Sequence, residues 1–257
     1  MVALALLGCE TEQVAPPAPD TAHQLEACTL DSEAFGEVQS SPLIGQPTVL
    51  RVTWSAPEPS DVLVHFQDAL GVDRRLVAEA DHALVLGLAE ASSATVYLSG
   101  WVDGEWVCSP PLEAVTGYFA SGLPDLALAP LPGPASPAFI AVPFLTEGRN
   151  FAAVVETEGG TPVWVWRVPQ SLGGGPLFRV ALRADGGGIL ANADGVWDTP
   201  GYVVRVDWDG TYTVIQVPYA SRDFTELPDG RIAVLALEVG VTDDGTFVVG
   251  DRLLELG

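Results

Sequence analysis

Apolar and polar residues alternate in short runs along the chain from about residue 47, and glycine and proline separate the runs. In residues 48–55, the side chains of Leu50, Val52 and Trp54 fall on one face of an extended chain, so we predict a strand that points Trp54 into a core. Similar runs at intervals of about 8–12 residues predict a β-sandwich over residues 28–118. The runs lie at 62–66, 74–80, 82–88, 94–102 and 105–109.

The second half of the chain contains an internal repeat of about 50 residues. The segments that align are GTPVWVWRVP with GTYTVIQVP, LFRVALRADGGGILAN with SRDFTELPDGRIAVLA, and PGYVVRVD with VGDRLLEL. Each unit supplies about four short strands, which is typical of a propeller blade. We therefore predict an all-β chain in which a linker at 119–137 leads to an incomplete β-propeller of about two blades at 138–257. Since a propeller needs four to eight blades, we expect either further blades beyond residue 257 or a truncated product.

The charge balance is strongly acidic, with 34 Asp and Glu, 11 Arg, no Lys and a formal charge of -23. Such a surface repels phosphate backbones, so we predict no nucleic-acid partner. The absence of Lys excludes Schiff-base chemistry and the phosphate-binding lysine of a P-loop. The glycine runs at 173–175 and 186–188 are predicted to be turns, and we predict no cofactor.

The N-terminal residues 1–9 resemble a bacterial lipoprotein signal, in which an apolar run ends in Leu6-Leu7-Gly8-Cys9. The resemblance implies that Cys9 is lipid-modified and that residues 10–27, which are acidic and Pro-rich, tether the protein to a membrane. We then expect export to the outer membrane, periplasm or cell surface. The alternative is a buried strand at the start of a domain.

Cys28 and Cys108 remain as a pair if Cys9 carries lipid. In an exported protein such a pair is expected to be oxidised to a disulfide bond. By the loop-entropy estimate, closing the loop between the two cysteines would stabilise the folded state by roughly 4 kcal/mol. The alternative is two unrelated buried thiols.

Two segments of the first half resemble fibronectin type III domains. LRVTWSAPEP is similar to the second strand of that family with its core Trp, and LVLGLAEASSATVYLSGWV is similar to the corner that leads into a Tyr-bearing strand, here with Tyr97. The resemblance implies an adhesive or spacer module. His65 lies in a strand of this region, and we expect it to be an exposed or half-buried structural histidine.

The repeats resemble the arylsulfotransferase-type propeller family in the segments VVETEGGTPVWVWRV, RDFTELPDGRIAVLA and VVGDRLLEL. That resemblance implies histidines just before the Asp-Phe pair, where they would carry the sulfuryl group. Here Tyr219, Arg222 and Asp223 occupy this stretch, and no His follows His82. These three residues are weak catalytic candidates, because Arg222 can bind an anion but is no nucleophile and nothing near Tyr219 in sequence would activate it.

Two further groups bear on binding. Asp207 and Asp209 form a fragment of a calcium loop, D-x-D-G, but the same residues also make a hairpin turn, so we predict no metal site there. Trp164 and Trp166 share one face of a strand. We interpret them as residues that pack between blades, and the alternative is a platform on which a sugar stacks.

Three functions follow from these observations. The first is an exported, lipid-anchored binding or structural protein with the propeller as a platform for an unknown small-molecule or protein ligand. The second is an arylsulfotransferase-related enzyme or a fragment of one, and the third is a cation-dependent adhesin.

Overall fold

The computed structural model of the 257-residue chain describes residues 28–31, 33–56, 59–78, 81–119, 138–146, 149–172, 176–193 and 201–256, without the side chains of Ser221 and Arg222. Apart from turns and one 3-10 helix (Gln170–Leu172), the regular structure in these residues is β-strand, so the all-β prediction is confirmed. None of the described helices has the length and apolar character needed to span a membrane. The predicted signal at 1–9, the tether at 10–27 and all but one residue of the linker lie outside the described residues.

The first unit is a two-sheet sandwich. Its strands, within the described part of the chain, are β1 (Thr29–Leu30), β2 (Gln39–Leu43), β3 (Gln46–Thr53), β4 (Ser60–Gln67), β5 (Asp73–Val77), β6 (His82–Val85), β7 (Ser93–Val102), β8 (Glu105–Cys108) and β9 (Leu112–Val115). One sheet has the order β2-β3-β6, and the other has the order β1-β8-β7-β4-β5, with β9 also paired to β7. All pairs are antiparallel except β1 with β8. This arrangement fits a fibronectin type III-like sandwich.

The sandwich closes its core between the inner faces of the two sheets. Leu50, Val52 and Trp54 are buried there as the alternation predicts, and Val64 and Leu98 meet them from the opposite sheet. Cys28 and Cys108 are joined by a disulfide bond with their Cα atoms 5.5 Å apart. The bond attaches the beginning of the unit to β8.

The second unit, called here the repeat unit, consists of three successive antiparallel meanders. Its described strands are β10 (Phe139–Thr146), β11 (Arg149–Glu156), β12 (Pro162–Arg167), β13 (Leu177–Leu182), β14 (Gly188–Ala193), β15 (Gly201–Asp207), β16 (Tyr212–Val217), β17 (Ala220–Glu226), β18 (Ile232–Val241) and β19 (Phe247–Leu256). They form the sheets β10-β11-β12, β13-β14-β15-β16 and β17-β18-β19. The aligned repeat segments occupy equivalent strands: β12 and β16 are last in their sheets, whereas β13 and β17 are first.

The middle sheet of the repeat unit is buried on both faces. Successive residues of β14 point to opposite sides, so Ile189 joins a core shared with the first sheet and Leu190 joins a core shared with the third. Neighbouring residues of β15 divide in the same way, with Val204 in the first core and Val203 in the second. Each sheet therefore depends on its neighbour for the burial of a face.

The two units are in direct contact through β3. Val49, which the alternation places opposite the sandwich core, is fully buried in the core of the repeat unit that contains Trp164. Its neighbour Thr48 donates a hydrogen bond from Oγ1 to the carbonyl of Val163 at 2.7 Å. The outer face of this strand is therefore an interface between the two units.

Candidate functional site

A cleft of about 740 Å³ lies between the sandwich and the repeat unit. On the sandwich side it is lined by β5, β6 and the segment around Gly87. On the side of the repeat unit it is lined by Phe139, Trp164 and two hairpin turns, 184–187 and 208–211. Because both units contribute walls, the cleft exists only when they are packed together.

Two tryptophans fix the wall on the side of the repeat unit. Trp164 of β12 is buried, and its Nε1 donates to the carbonyl of Trp208 at 3.1 Å. The two rings meet edge to face with centroids 5.4 Å apart. Trp208 in turn donates from Nε1 to the carbonyl of Gly186 at 2.6 Å, so it ties the two hairpin turns together. Trp166 is buried as well and contacts Tyr212, so both tryptophans of β12 serve packing within the repeat unit.

The carboxylates of the two turns are held by a central arginine. Arg183 forms ion pairs with Asp185 and with Asp207. Burial opposes the charge of Arg183, but these hydrogen bonds outweigh it and raise its pKa. The N–H of Gly187 and the guanidinium of Arg183 lower the pKa of Asp185. Of the turn carboxylates, Asp185 therefore has its ionised form stabilised at the wall of the cleft.

Asp207 and Asp209, the weak calcium-loop resemblance for which no metal site is predicted, are part of this wall. Asp207 accepts a hydrogen bond from Thr211 Oγ1 at 3.3 Å in addition to its ion pair with Arg183, and Asp209 Oδ1 accepts the N–H of Thr211 at 2.9 Å. These contacts are those of a hairpin turn. Among the described residues, no group of three or more His, Cys, Asp or Glu side chains is arranged to hold a metal ion.

The sandwich side of the cleft carries basic groups. Asp68 is buried and accepts N–H groups from Leu70 and Val72, and it also accepts Nε of Arg74 at 2.6 Å. Arg75 and His82 line the cleft beside Arg74. Apolar side chains complete this wall, namely Leu76, Val77, Leu84 and Leu86. The cleft thus combines an apolar lining with a basic group of residues on one side and carboxylates on the other.

The weak catalytic candidates lie elsewhere. Tyr219 is exposed in the turn between β16 and β17, at the end of β16 that points away from the cleft turns. Asp223 forms an ion pair with Arg179 and accepts the N–H of Phe224 at 2.9 Å. The side chain of Arg222 lies outside the described residues, and so does Cys9. Asp223 is therefore engaged in a structural contact.

The prediction that His65 is an exposed or half-buried residue is wrong. Its side chain is buried, with the residue 4% exposed, because the Tyr97 ring stacks on it at 4.4 Å and Ser99 Oγ lies 2.7 Å from Nε2. Burial, together with the nearby charge of Arg75, lowers its pKa to about 4. His65 is therefore a neutral structural residue at physiological pH.

The cleft residues were not predicted as a site. The sequence marks Trp208 only as part of an Asp-rich turn and Arg74 and Arg75 only as charges on a strand. A cluster of Arg in so acidic a chain is the one signal that points to the sandwich side of the cleft.

Comparison with known proteins gives little support for a family. No protein-family model matches the sequence, and no curated protein matches it. Among solved structures, a two-domain fibronectin type III segment from chicken tenascin is 13% identical, and the match covers 84% of this chain and 97% of that chain with a TM-score of 0.25. A TM-score this low carries no conclusion about the fold.

Proposed function

We propose that this chain is an exported, lipid-anchored binding protein that holds its ligand in the cleft between the sandwich and a propeller-type platform. The cleft carries the proposal. Ligand sites are commonly concave, of about 300–1,000 Å³, mostly apolar with a few placed polar groups, and often located between domains. The cleft of about 740 Å³ has each of these properties.

The propeller part of the proposal is supported by the repeat unit. Its three described sheets are successive meanders that pack face to face, and equivalent repeat segments fill equivalent strands. Sheets of this kind arranged around an axis are the blades of a propeller. In the proposed architecture the hairpin turns on one rim of the platform face the sandwich.

A binding role agrees with the chemistry of the cleft better than an enzymatic one. Asp68, Asp185 and Asp207 are engaged by backbone N–H groups, a hydroxyl or arginines, so they orient the walls. The residues that the arylsulfotransferase resemblance points to, Tyr219 and Asp223, are outside the cleft. No described contact favours sulfuryl transfer or a bound cation, so neither alternative is proposed as the function.

Binding in the cleft is tested with the fluorescent dye anilinonaphthalene sulfonate, which combines an aromatic body with an anionic group. We expect a saturable dye site that weakens at least tenfold in Leu84→Glu, which puts a charge on the apolar lining. Leu145→Glu is the matched control, because Leu145 is an exposed leucine that does not line the cleft. Equal dye affinity in the wild type and Leu84→Glu, with both folded by thermal unfolding, would refute the cleft as a ligand site.

The lipid anchor is tested separately by intact mass of the protein expressed in a bacterium with the lipoprotein pathway. We expect a product that begins at Cys9 and carries acyl chains, and a Cys9→Ser variant that lacks them. Retention of residues 1–8 without added lipid would contradict the anchor while leaving the binding role in place.

A further inference from the structure

Two edge strands of the sandwich border the cleft. Within the described residues, β5 pairs only with β4, and β6 pairs only with β3, so each has one edge without a neighbouring strand. Residues of both strands line the cleft. An open strand edge offers a row of N–H and C=O groups to which another extended chain can pair.

The hydrogen bonds of β5 identify the backbone groups that point outward. Asp68 N donates to Val72 O, and Ala78 N donates to Val62 O, so every second residue of β5 is bonded to β4. The intervening residues Arg75 and Val77 therefore direct their N–H and C=O groups away from β4. Both residues line the cleft.

The same argument applies to β6. Trp54 N donates to Asp81 O, which leaves His82 and Leu84 with backbone groups that point away from β3. Both line the cleft, but Leu84 is only partly exposed and packs against the core of the repeat unit. Val77 of β5 is 69% exposed. Of the two edges, β5 is therefore the accessible one.

The charge on this edge indicates the chemistry of the partner. The whole chain has a formal charge of -23, yet Arg74 and Arg75 are adjacent on β5. Arg74 pairs with Asp68 through Nε, whereas Arg75 has no ion-pair partner among the described residues. An opposite charge placed across from a strand residue is stabilising, so an acidic side chain fits beside Arg75.

We propose that the cleft binds an extended, acidic peptide segment that adds as a strand to the free edge of β5. The proposal rests on the proposed function of the cleft as a ligand site and specifies the class of ligand. Main-chain hydrogen bonds to Arg75 and Val77 provide affinity, and the side chains of the peptide meet Arg75 and the apolar lining.

The test uses a phage-displayed library of random linear nonapeptides selected on the full chain, followed by a fluorescein-labelled synthetic peptide of the selected sequence. We expect the selected peptides to be rich in Asp and Glu. Val77→Pro removes one outward N–H without breaking a β4 bond, since proline is tolerated at edge positions whose N–H faces solvent. We expect this variant to bind at least tenfold more weakly.

Two variants separate the loss of the outward N–H from the other effects of Val77→Pro, namely the introduction of a proline and the removal of the valine side chain. Val214→Pro makes the same change on β16, where Val214 is exposed, lies outside the cleft and also directs its N–H away from its partner strand. We expect its affinity to equal that of the wild type. Val77→Ala keeps the N–H and removes only methyl groups, so we expect a loss of about threefold at most.

A measurement on the peptide keeps the test independent of protein folding. N-methylation at successive peptide positions removes one N–H at a time, and strand pairing requires that every second position be sensitive. A loss of tenfold or more with this period of two supports strand addition. Equal affinities at all positions, unchanged binding to Val77→Pro, or selection of no peptide would each overturn it.

The outcome is separable from that of the proposed function. Suppose that peptide affinity is unchanged by Val77→Pro and by N-methylation but is lowered by Leu84→Glu. Strand addition would then be refuted, while the cleft would remain a ligand site. If the wild type showed no dye site that depends on the cleft residues, the proposed function itself would be refuted.

Discussion

The sandwich and the repeat unit bury their sheets in different ways. In the sandwich, two sheets of one unit face each other, and residues such as Leu50 and Leu98 close a single core between them. In the repeat unit, each sheet packs on the next one along the chain, so the middle sheet is buried on both faces. The third sheet has large exposed apolar side chains on β18 and β19, including Val241, Phe247 and Leu253.

The difference teaches how stability is distributed. The sandwich closes one core between its own two sheets and is held further by the disulfide between Cys28 and Cys108. A stack of similar sheets is stabilised by the sum of contacts between neighbouring sheets. The cleft lies where these two kinds of unit meet, which gives it walls of different origin and charge.

The largest effect is expected at Trp164, which joins the first two sheets of the repeat unit. Trp164→Ala should lower the free energy of unfolding of that unit by about 5 kcal/mol, because a buried indole and its bond to the Trp208 carbonyl are lost. Hydrogen–deuterium exchange should show loss of protection in the repeat unit while the sandwich stays protected. Trp101→Ala, at a residue 41% exposed, is the control and should cost at most about 1.5 kcal/mol. Equal loss of protection in both units would mean that they unfold as one.

Removal of the disulfide should affect the other unit. The double variant Cys28→Ser and Cys108→Ser opens a loop with a sequence separation of 80 and should destabilise the sandwich by about 4 kcal/mol. Urea unfolding followed by hydrogen–deuterium exchange should place the change in the sandwich, and the exchange of the repeat unit should be unaltered. A change confined to the repeat unit would contradict this division of stability.

Acid should destabilise the sandwich at a higher pH than the repeat unit. Folding lowers the pKa of His65 from 6.5 to about 4, so between these values only the unfolded chain binds the proton. The contribution of neutral, buried His65 to the free energy of unfolding is therefore fully present above about pH 6.5. It falls by about 3 kcal/mol as the pH decreases to about 4. Urea unfolding of the wild type and His65→Gln at pH 7.5 and 4.5 checks this, since the variant should lack this step.

Glu156 provides the comparison in the repeat unit. Burial opposes its ionisation, but the N–H groups of Gly159, Thr161 and Glu158 donate to its carboxylate and lower its pKa. A carboxyl group with a lowered pKa contributes stability that is fully present above its ordinary pKa and is lost as the pH falls below that value and through the folded pKa. If the repeat unit lost protection first on acidification, the assignment of the two transitions would be wrong.

The smallest effect is expected on the third sheet. Phe247→Thr and Leu253→Thr remove side chains that are 75% and 63% exposed, so each should change the free energy of unfolding by no more than about 0.5 kcal/mol. Val234→Thr on the buried face of the same sheet should cost about 2 kcal/mol because it buries a hydroxyl. Thermal unfolding measures both. A loss above about 1 kcal/mol at Phe247 would show that this face is covered in solution.

Much of the fold could be predicted because period-two alternation and turn residues act locally. The alternation of Leu50, Val52 and Trp54 predicts their burial, and the Asp-Gly pair at 209–210 predicts a turn that the structure contains. The repeat alignment predicts which strands are equivalent. Each of these signals depends on residues close in sequence and on backbone geometry that neighbours impose.

The candidate site could not be predicted because it depends on contacts between distant segments. Val49 reads as an outward residue of β3, and only the packing of the repeat unit on that face buries it. His65 reads as a residue on the less apolar face, yet Tyr97 and Ser99 of β7 cover it. The outward N–H groups of Arg75 and Val77 become part of a cleft only because β5 is an edge strand near the turns of another unit.

The sequence by itself determined the class of structure, the alternation within each strand, the repeat and the charge of the surface. The tertiary structure alone decided which faces meet, which strand edges remain open and which charges line the cleft. The physical reason is that local pattern specifies that a face is apolar or polar, whereas the burial of that face depends on the partner that long-range packing brings against it.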